Sequence, residues 1–339
     1  MSNTVLVTGG AGYIGSHMVR MLDHQGYEVI VYDNLQRGNA DAVIAGTLIE
    51  GDLHDTQRLS EVFVNNRIDA VMHFAALAYV GESVHEPALY YKNNVTGTQC
   101  LLDTMIEHGV RRLVFSSTCA TYGMPESLPI TEQMPQSPIN PYGHSKLMVE
   151  QILKDYAIAY DLRSIALRYF NAAGCSPDTR IGERHDPETH LLPLILFEAL
   201  RVKSGGNPGD SSLMVFGDDF DTRDGTCIRD YIHVNDLCSA HIKAFERMQA
   251  EPTLGAEQFN LGVNQGYTVL EVIGICSKVT GIDLTYKIAP RRAGDPPELV
   301  ADASLAMSKL NWRPELADLT HSIEHAWKWF LEHPPKASK

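Results

Sequence analysis

The stretch VLVTGGAGYIGSH, residues 5–17, decides the fold. Thr4 to Val7 reads as a buried parallel strand, because apolar and β-branched residues follow one another without polar alternation. Tyr13 to Gln25 carries apolar residues at helical spacing. Between the two stand Gly9, Gly10, Gly12 and Gly15. At a strand-to-helix turn one glycine permits the reversal, a second lets backbone approach a ligand, and a third lets the helix pack on the strand. The N–H groups that open such a helix favour a phosphate. A glycine cluster alone is weak evidence, since a tight turn without a ligand uses the same residues; its context decides.

The next strand-like run, VIVYDN at 29–34, ends on Asp33, 18 residues beyond Gly15. A carboxylate there can accept hydrogen bonds from the ribose hydroxyls of a dinucleotide and repels a 2′-phosphate. NAD is therefore favoured, with Arg37 leaving NADP as the alternative. EGDLHD at 50–55 adds Asp52, either an adenine contact or a strand-end cap.

Working outward, strand-like runs recur at 4–8, 28–32, 47–50, 69–74, 111–116 and 162–168, with helix-like stretches at 55–66, 88–108 and 142–159. This alternation predicts an α/β fold with a doubly wound (Rossmann) parallel sheet. After Gly174 proline, glycine and charge crowd 176–190 and 204–226, which predicts a smaller, loop-rich C-terminal α/β domain. Segments 229–249 and 257–261 are expected to return to the first domain. The division reads as 1–175 plus about 228–265 for the dinucleotide domain, and 176–227 plus about 266–339 for the second. No internal repeat is present.

A chain of 339 residues with 44% hydrophobic and 21% charged residues can bury a large core. Its formal charge of −14 opposes nonspecific binding to nucleic acid or anionic membrane, so an anionic ligand needs local arginines and amides. Six cysteines without a Cys-x-x-Cys pair suit reduced thiols. The apolar-rich stretch at 70–81 is interrupted by His73 and too short to span a bilayer. These features predict a cytoplasmic protein.

NPYGHSKLMVE, residues 140–150, sets Tyr142 and Lys146 four apart behind a proline suited to a helix's first turn, so both share one helical face. FSSTCATYG, residues 115–123, places Ser116, Ser117 and Thr118 at the carboxyl edge of the sheet, where a hydroxyl can meet a cofactor. A phenol with pKa about 10 is a poor base at neutral pH, and lowering it by three units takes about 4 kcal/mol of differential stabilisation. Lys146 and a cationic nicotinamide can supply it.

These residues resemble the extended short-chain dehydrogenase/reductases that act on nucleotide sugars, and among them the 4-epimerases. The resemblance covers nearly the whole chain through TGGAGYIGSH, VGESV, YYKNNV, PYGHSKLMVEQIL, LRYFNAAG, RDYIHV and APRRAGDPP. It implies interconversion of UDP-glucose and UDP-galactose by NAD-mediated oxidation and re-reduction at C4. Thr118, Tyr142 and Lys146 would then be catalytic. Gly9, Gly12, Tyr13, Ile14, Gly15, Asp33, Asn34, Asp52, Leu53, Phe74, Ala75, Ala76, Asn93 and Phe170 would line NAD with Tyr142 and Lys146. Asn171, Phe216, Arg229, Arg292 and Asp295 would hold the UDP-sugar with Thr118 and Tyr142, an arginine pair being suited to a diphosphate. Leu299 would border the sugar, and its size suggests room for the 2-acetamido sugars. The resemblance further implies a homodimer through helices 88–108 and 142–159.

Two positions depart from the family. Ala78 stands where better-known members carry a lysine, and Thr118 replaces the serine of some relatives while keeping the hydroxyl. The related 4,6-dehydratases follow the hydroxyl residue with an Asp-Glu pair, whereas Cys119 and Ala120 stand here. A regulatory protein that only senses NAD is a further alternative, one with no need of Thr118, Tyr142 and Lys146 together. No metal is expected. GDDFDTRDG at 217–225 has Arg223 and Asp224 where a calcium loop needs an oxygen ligand and a glycine. GERHDPETH at 182–190 spaces His185 and His190 by five, off a common helix face, and reads as a loop with incidental histidines.

Overall fold

The computed structural model describes residues 3–292 and 294–335. In chain order the strands are β1 Thr4–Thr8, β2 Glu28–Asp33, β3 Thr47–Glu50, β4 Ala70–His73, β5 Arg112–Thr118, β6 Arg163–Tyr169, β7 Asn171–Ala173, β8 Met214–Phe216, β9 Ile228–His233, β10 Ala256–Leu261, β11 Gly266–Thr268, β12 Lys287–Ala289 and β13 Glu298–Leu299. The helices are α1 Tyr13–His24, α2 Thr56–Asn65, α3 Val80–His85, α4 Pro87–Tyr90, α5 Gly97–Glu107, α6 Pro141–Tyr160, α7 Leu191–Lys203, α8 Val234–Ala250, α9 Val269–Thr280, α10 Ser304–Lys309 and α11 Leu319–Glu332.

Seven strands form one sheet in the order β10-β6-β5-β4-β1-β2-β3, and every pairing in it is parallel. Alternate residues of β1 serve opposite faces. Val5 and Val7 join the core that includes Met18, Val19 and Leu22 of α1 and the apolar face of α8, while Leu6 joins the core with Leu59, Leu101 and Val149 from α2, α5 and α6. With both faces covered, β1 and β4 are buried throughout. This is why they read as uninterrupted apolar runs rather than alternating ones. The strand order reverses at β1, which pairs with β2 on one side and β4 on the other. A crevice therefore opens there at the strands' carboxyl ends.

The expected helix over 88–108 is delivered in three pieces, α4, a π-helical turn at Tyr91–Thr96, and α5. Helix α6 starts where Asn140 accepts a hydrogen bond from the Gly143 amide at 2.8 Å, with Pro141 in its first turn.

The segment after β7 differs in one respect from the expectation. Strand β10 does pair with β6 in the large sheet, but β9 does not join it. Instead β9 centres a second sheet, antiparallel to β11 and parallel to β13 and β7. Its own helix α8 nevertheless packs back on the large sheet's core. Spacing alone could not separate the two sheets, because β9 is buried at five of its six positions, as a strand of the large sheet is. A third core, with Leu192, Ile195, Val272, Cys276, Ile323 and Phe330 among its members, lies between α7, α9 and α11.

Candidate active site

The glycine turn is a cradle that side chains would fill. Gly9 adopts φ +74°, and a Cβ there would lie 2.5 Å from the Ala75 amide nitrogen. A Cβ on Gly15 would lie 2.1 Å from the Gly9 carbonyl oxygen. On Gly12 the Gly9 oxygen at 3.3 Å is the one neighbour within 4 Å, so this residue faces open space. Gly12 also caps α1 without a side-chain bond, leaving the first-turn amides for an anion. Beside the turn, Asp33 Oδ2 accepts from the Ala11 amide at 2.9 Å and Oδ1 from the Leu35 amide at 2.8 Å. Burial raises the Asp33 carboxyl, and these two bonds oppose the shift. The group thus braces the turn, a role its place in the sequence did not reveal.

Asn34 donates to Asp52 Oδ2 at 2.8 Å, and Asp52 Oδ1 accepts from the His54 amide at 2.9 Å. Partial burial works to raise the Asp52 carboxyl, but the bonds from His54 and Asn34 prevail and hold it below its usual value. Of the two readings of Asp52, the cap is what these bonds describe: its carboxylate holds the start of its own loop. Arg37 is paired with Glu82 at 2.6 Å and sits 5.1 Å from the Tyr79 ring centroid. That engagement favours NAD over NADP. Tyr13 turns its hydroxyl to the Gly174 carbonyl at 2.6 Å, and Leu53 belongs to the core beneath α2 and α5.

The loop after β4, with Phe74, Ala75 and Ala76, is fixed by a residue the sequence did not single out. Buried Asn94 accepts from the Leu77 amide at 2.8 Å and donates to the Leu77 carbonyl at 3.0 Å and to Ser145 Oγ of α6 at 3.0 Å. Asn93 donates to it at 2.9 Å. Both asparagines sit in the π-helical turn, a distortion often found at functional sites.

Thr118, at the end of β5, and Tyr142 and Lys146, on α6, are all buried. Lys146 Nζ donates to the Ser116 carbonyl at 2.8 Å and lies 6.0 Å from the Tyr142 ring centroid. Burial pulls the ammonium down to about 7, with Glu150 opposing. It also pushes the Tyr142 phenol well above its ordinary range; Tyr169 adds to the shift and the Thr118 hydroxyl opposes it. The protein alone therefore holds a neutral phenol, and a cation beside it is required to make a base. Ser116 and Ser117 are otherwise engaged, Ser116 with the Tyr169 hydroxyl at 2.7 Å and Ser117 with Glu150 at 2.6 Å. Thr118 Oγ1 accepts from the Ala120 amide at 3.1 Å, which leaves its hydroxyl proton to donate at the site.

Behind the site runs a buried network that sequence reasoning missed. Arg168 donates to both Glu150 oxygens, at 2.9 and 2.6 Å, and to the Tyr122 hydroxyl at 2.8 Å. Tyr122 donates to Asn260 at 2.7 Å, and Asn260 donates to the Ile130 carbonyl at 2.8 Å. An arginine inside an apolar strand gives no local signal, because its partner lies 18 residues away on α6.

The sugar-side residues assemble through the second sheet. Arg229 and Leu299 are register partners in β9 and β13, and Arg229 binds Asp295 at 2.5 Å. Asn171, first in β7, donates to the Asp230 carbonyl at 2.8 Å. Leu299 packs in a cluster with Phe170, Cys119 and Tyr122, which joins the second sheet to the end of β5. Phe216 and Arg292 form a separate pair, the guanidinium carbon 4.1 Å from the ring centroid. Burial raises the Cys227 thiol, and the charges of Arg229 and Arg292 both oppose the shift.

Loop 182–190 requires a correction. His185 and His190 are indeed off any helix, yet the loop folds both against Glu183 and Glu188. A test based on helical spacing could not detect a cluster made by a turn. Burial would lower both imidazoles, but the two carboxylates override it and hold His185 at about 9 and His190 at about 10.

Residues 5–262 match the model of the NAD dependent epimerase/dehydratase family. The chain is 50% identical over 330 residues to a UDP-glucose 4-epimerase of Halalkalibacterium halodurans, covering 97% of this chain and 96% of the relative. A UDP-glucose 4-epimerase from Brucella ovis solved with NAD superposes with a TM-score of 0.91 at 48% identity, over 97% of this chain and 98% of that one. One from Bifidobacterium longum solved with NAD+ and UDP gives 0.90 at 39% identity, over 98% and 99% of the two chains. The glycine cradle, Asp33 and the Thr118–Tyr142–Lys146 group thus stand in a chain that belongs to the NAD dependent epimerase/dehydratase family.

Proposed function

We propose that the protein interconverts UDP-glucose and UDP-galactose by oxidation and re-reduction at C4 of the sugar. One observation carries the reading: Tyr142, Lys146 and Thr118 are buried together at the carboxyl edge of the sheet, beside a glycine cradle open to a dinucleotide. NAD bound there supplies a hydride acceptor that returns the same hydride. NAD held in the cradle would bring a cationic nicotinamide, the kind of charge that would offset the burial keeping the Tyr142 phenol neutral. The Tyr142 phenolate takes the proton of the 4-hydroxyl while C4 loses hydride, leaving a 4-keto sugar, and Thr118 hydrogen-bonds the same oxygen. Lys146 holds the Tyr142 side and its amine is anchored on Ser116.

Inversion requires the keto ring to present its other face, so the nucleotide must be the tight anchor. Arg229, Arg292 and Asp295 suit a diphosphate and a ribose, which assigns substrate binding to 176–227 plus about 266–339, with Arg229 lent by β9. Phe216 offers a ring face and Asn171 an amide beside them. Cys119 supports epimerisation over dehydration, since burial pushes its thiol up to about 12 and Ala120 has no acid or base. Leu299, smaller than tyrosine and set beside Phe170, leaves room for the 2-acetamido group, so UDP-GlcNAc and UDP-GalNAc belong to the proposed substrates.

The proposed homodimer uses helices 88–108 and 142–159, on which Leu89, Met148 and Ile158 are exposed. A cytoplasmic location accords with six free cysteines. No helix among the described residues is long and apolar enough to cross a membrane. The test is to offer UDP-galactose to the purified protein without added oxidant. UDP-glucose should form, with dinucleotide already bound; a preparation free of dinucleotide that consumes NAD stoichiometrically contradicts the reading.

A further inference from the structure

Glu183, His185, Glu188 and His190 present four ligand atoms within 4.8 Å of one another, away from the catalytic group. His185 Nδ1 is 3.3 Å from Glu183 Oε1 and 3.4 Å from Glu188 Oε2, and His190 Nδ1 is 3.1 Å from Glu183 Oε1. A tetrahedral zinc ion with bonds of about 2.0–2.1 Å sets its ligand atoms about 3.3 Å apart. These three separations match the edge of such a site, and all four ligand atoms lie within 4.8 Å, so an ion would only have to draw the remaining pairs closer.

A second observation points the same way. His185 Nδ1 and Glu188 Oε2 are both buried without a hydrogen-bond partner, and the Glu188 side chain is only 6% exposed. Its other oxygen is fully engaged, accepting from the Thr189 and His190 amides at 2.8 Å each. Those two bonds fix the carboxylate so that Oε2 faces the imidazole of His185. Glu188 Oε2 and His185 Nδ1 face each other at 3.4 Å, an ion-pair distance rather than a hydrogen bond, and a divalent cation between them satisfies both once the imidazole gives up its proton.

We propose that these four residues bind one divalent cation of the zinc class through two imidazole nitrogens and two carboxylate oxygens. Two imidazoles select zinc-like ions over magnesium or calcium, which take oxygen ligands. The ion has a structural task. His185 sits 6.2 Å, ring to ring, from Tyr13 at the start of α1 and 6.1 Å from Tyr79 in the loop after β4. On the far side of the loop, the Glu183 carbonyl accepts from Trp329 Nε1 of α11 at 3.3 Å. The ion thus ties the loop between α1 and α11, so that Arg180 and Gly182 wall the cleft over Gly12 and Tyr13.

The test takes the full chain without a metal-binding tag, dialysed against a chelator. Zinc is titrated back and counted by elemental analysis, with Co2+ in parallel as a visible-spectrum probe. The expected result is one ion per chain, a four-coordinate Co2+ spectrum that zinc abolishes, a higher melting midpoint, and slower proteolytic nicking of 180–190. His190→Ala, at a half-exposed side chain, and the near-isosteric Glu188→Gln should each weaken zinc binding at least about tenfold and erase the midpoint gain. If the wild type takes up no stoichiometric zinc, or the variants bind it as well as the wild type, the proposal is overturned and the four residues are an ion-pair cluster only. The wild-type titration decides even if a variant fails to fold.

Discussion

The dinucleotide side and the sugar side of the crevice are built in opposite ways. On the first, the glycine turn joins β1 to α1, Asp33 ends β2, and Tyr142 and Lys146 share the first two turns of α6, so each feature lies within one contiguous segment. On the second, Asn171, Arg229, Asp295 and Leu299 come from segments up to 128 residues apart, joined by strands of two, three and six residues. Periodicity and capping act over one or two turns of chain, so they specify the first side and leave the second to long-range pairing. Arg168 sits at the junction, where its ion pair with Glu150 on α6 continues through Tyr122 and Asn260 to Ile130, whose neighbour across the bridge is Ala301 after β13.

The largest expected effect breaks that junction. Arg168→Met leaves Glu150 buried without its partner, which costs about 3–5 kcal/mol of stability, whereas replacing both residues by apolar ones should cost less. Denaturant titration of the single and double variants checks it; equal losses would show that the pair is not the link. Next comes Tyr142→Phe, which should lower turnover at least about 10²-fold while UDP binding persists. Near-normal turnover would remove the phenol from the chemistry and the sharpest feature from the first side.

Much of the fold was legible for the same physical reason. Strands β1, β2, β4, β5 and β6 were readable because nearly every residue in them is buried, and helix α6 because Pro141 opens it, while β3 was predicted although its four residues stay partly exposed. The placement of β9 was not, since a largely buried six-residue strand fits either sheet. Nor were Asn94 and Arg168, polar residues whose partners lie on other elements. The cluster in loop 182–190 escaped because it depends on a turn rather than on a period.

On the sugar side, Leu299→Tyr should discriminate against UDP-GlcNAc by about 1–3 kcal/mol, a tenfold to hundredfold loss, with little change for UDP-galactose. An unchanged ratio of the two activities would mean that other residues set the width. A further effect concerns pH. The Lys146 value of about 7 in the folded, cofactor-free protein lies below that of an unfolded lysine, about 10.4. The unfolded chain then binds more protons between these values, so stability rises with pH from about 7 to about 10, by at most about 1.4 kcal/mol per unit. Lys146→Met should flatten that rise; an identical slope in both proteins would place the amine in solvent.

The central claim is that one hydride leaves C4 and returns to the same carbon without exchange with water. UDP-galactose deuterated at C4 tests it most directly, with the position of the label followed by NMR in ordinary water. The account predicts UDP-glucose that keeps deuterium at C4, with no net build-up of NADH. Loss of the label to solvent, or product formed only as NAD is consumed, would contradict it.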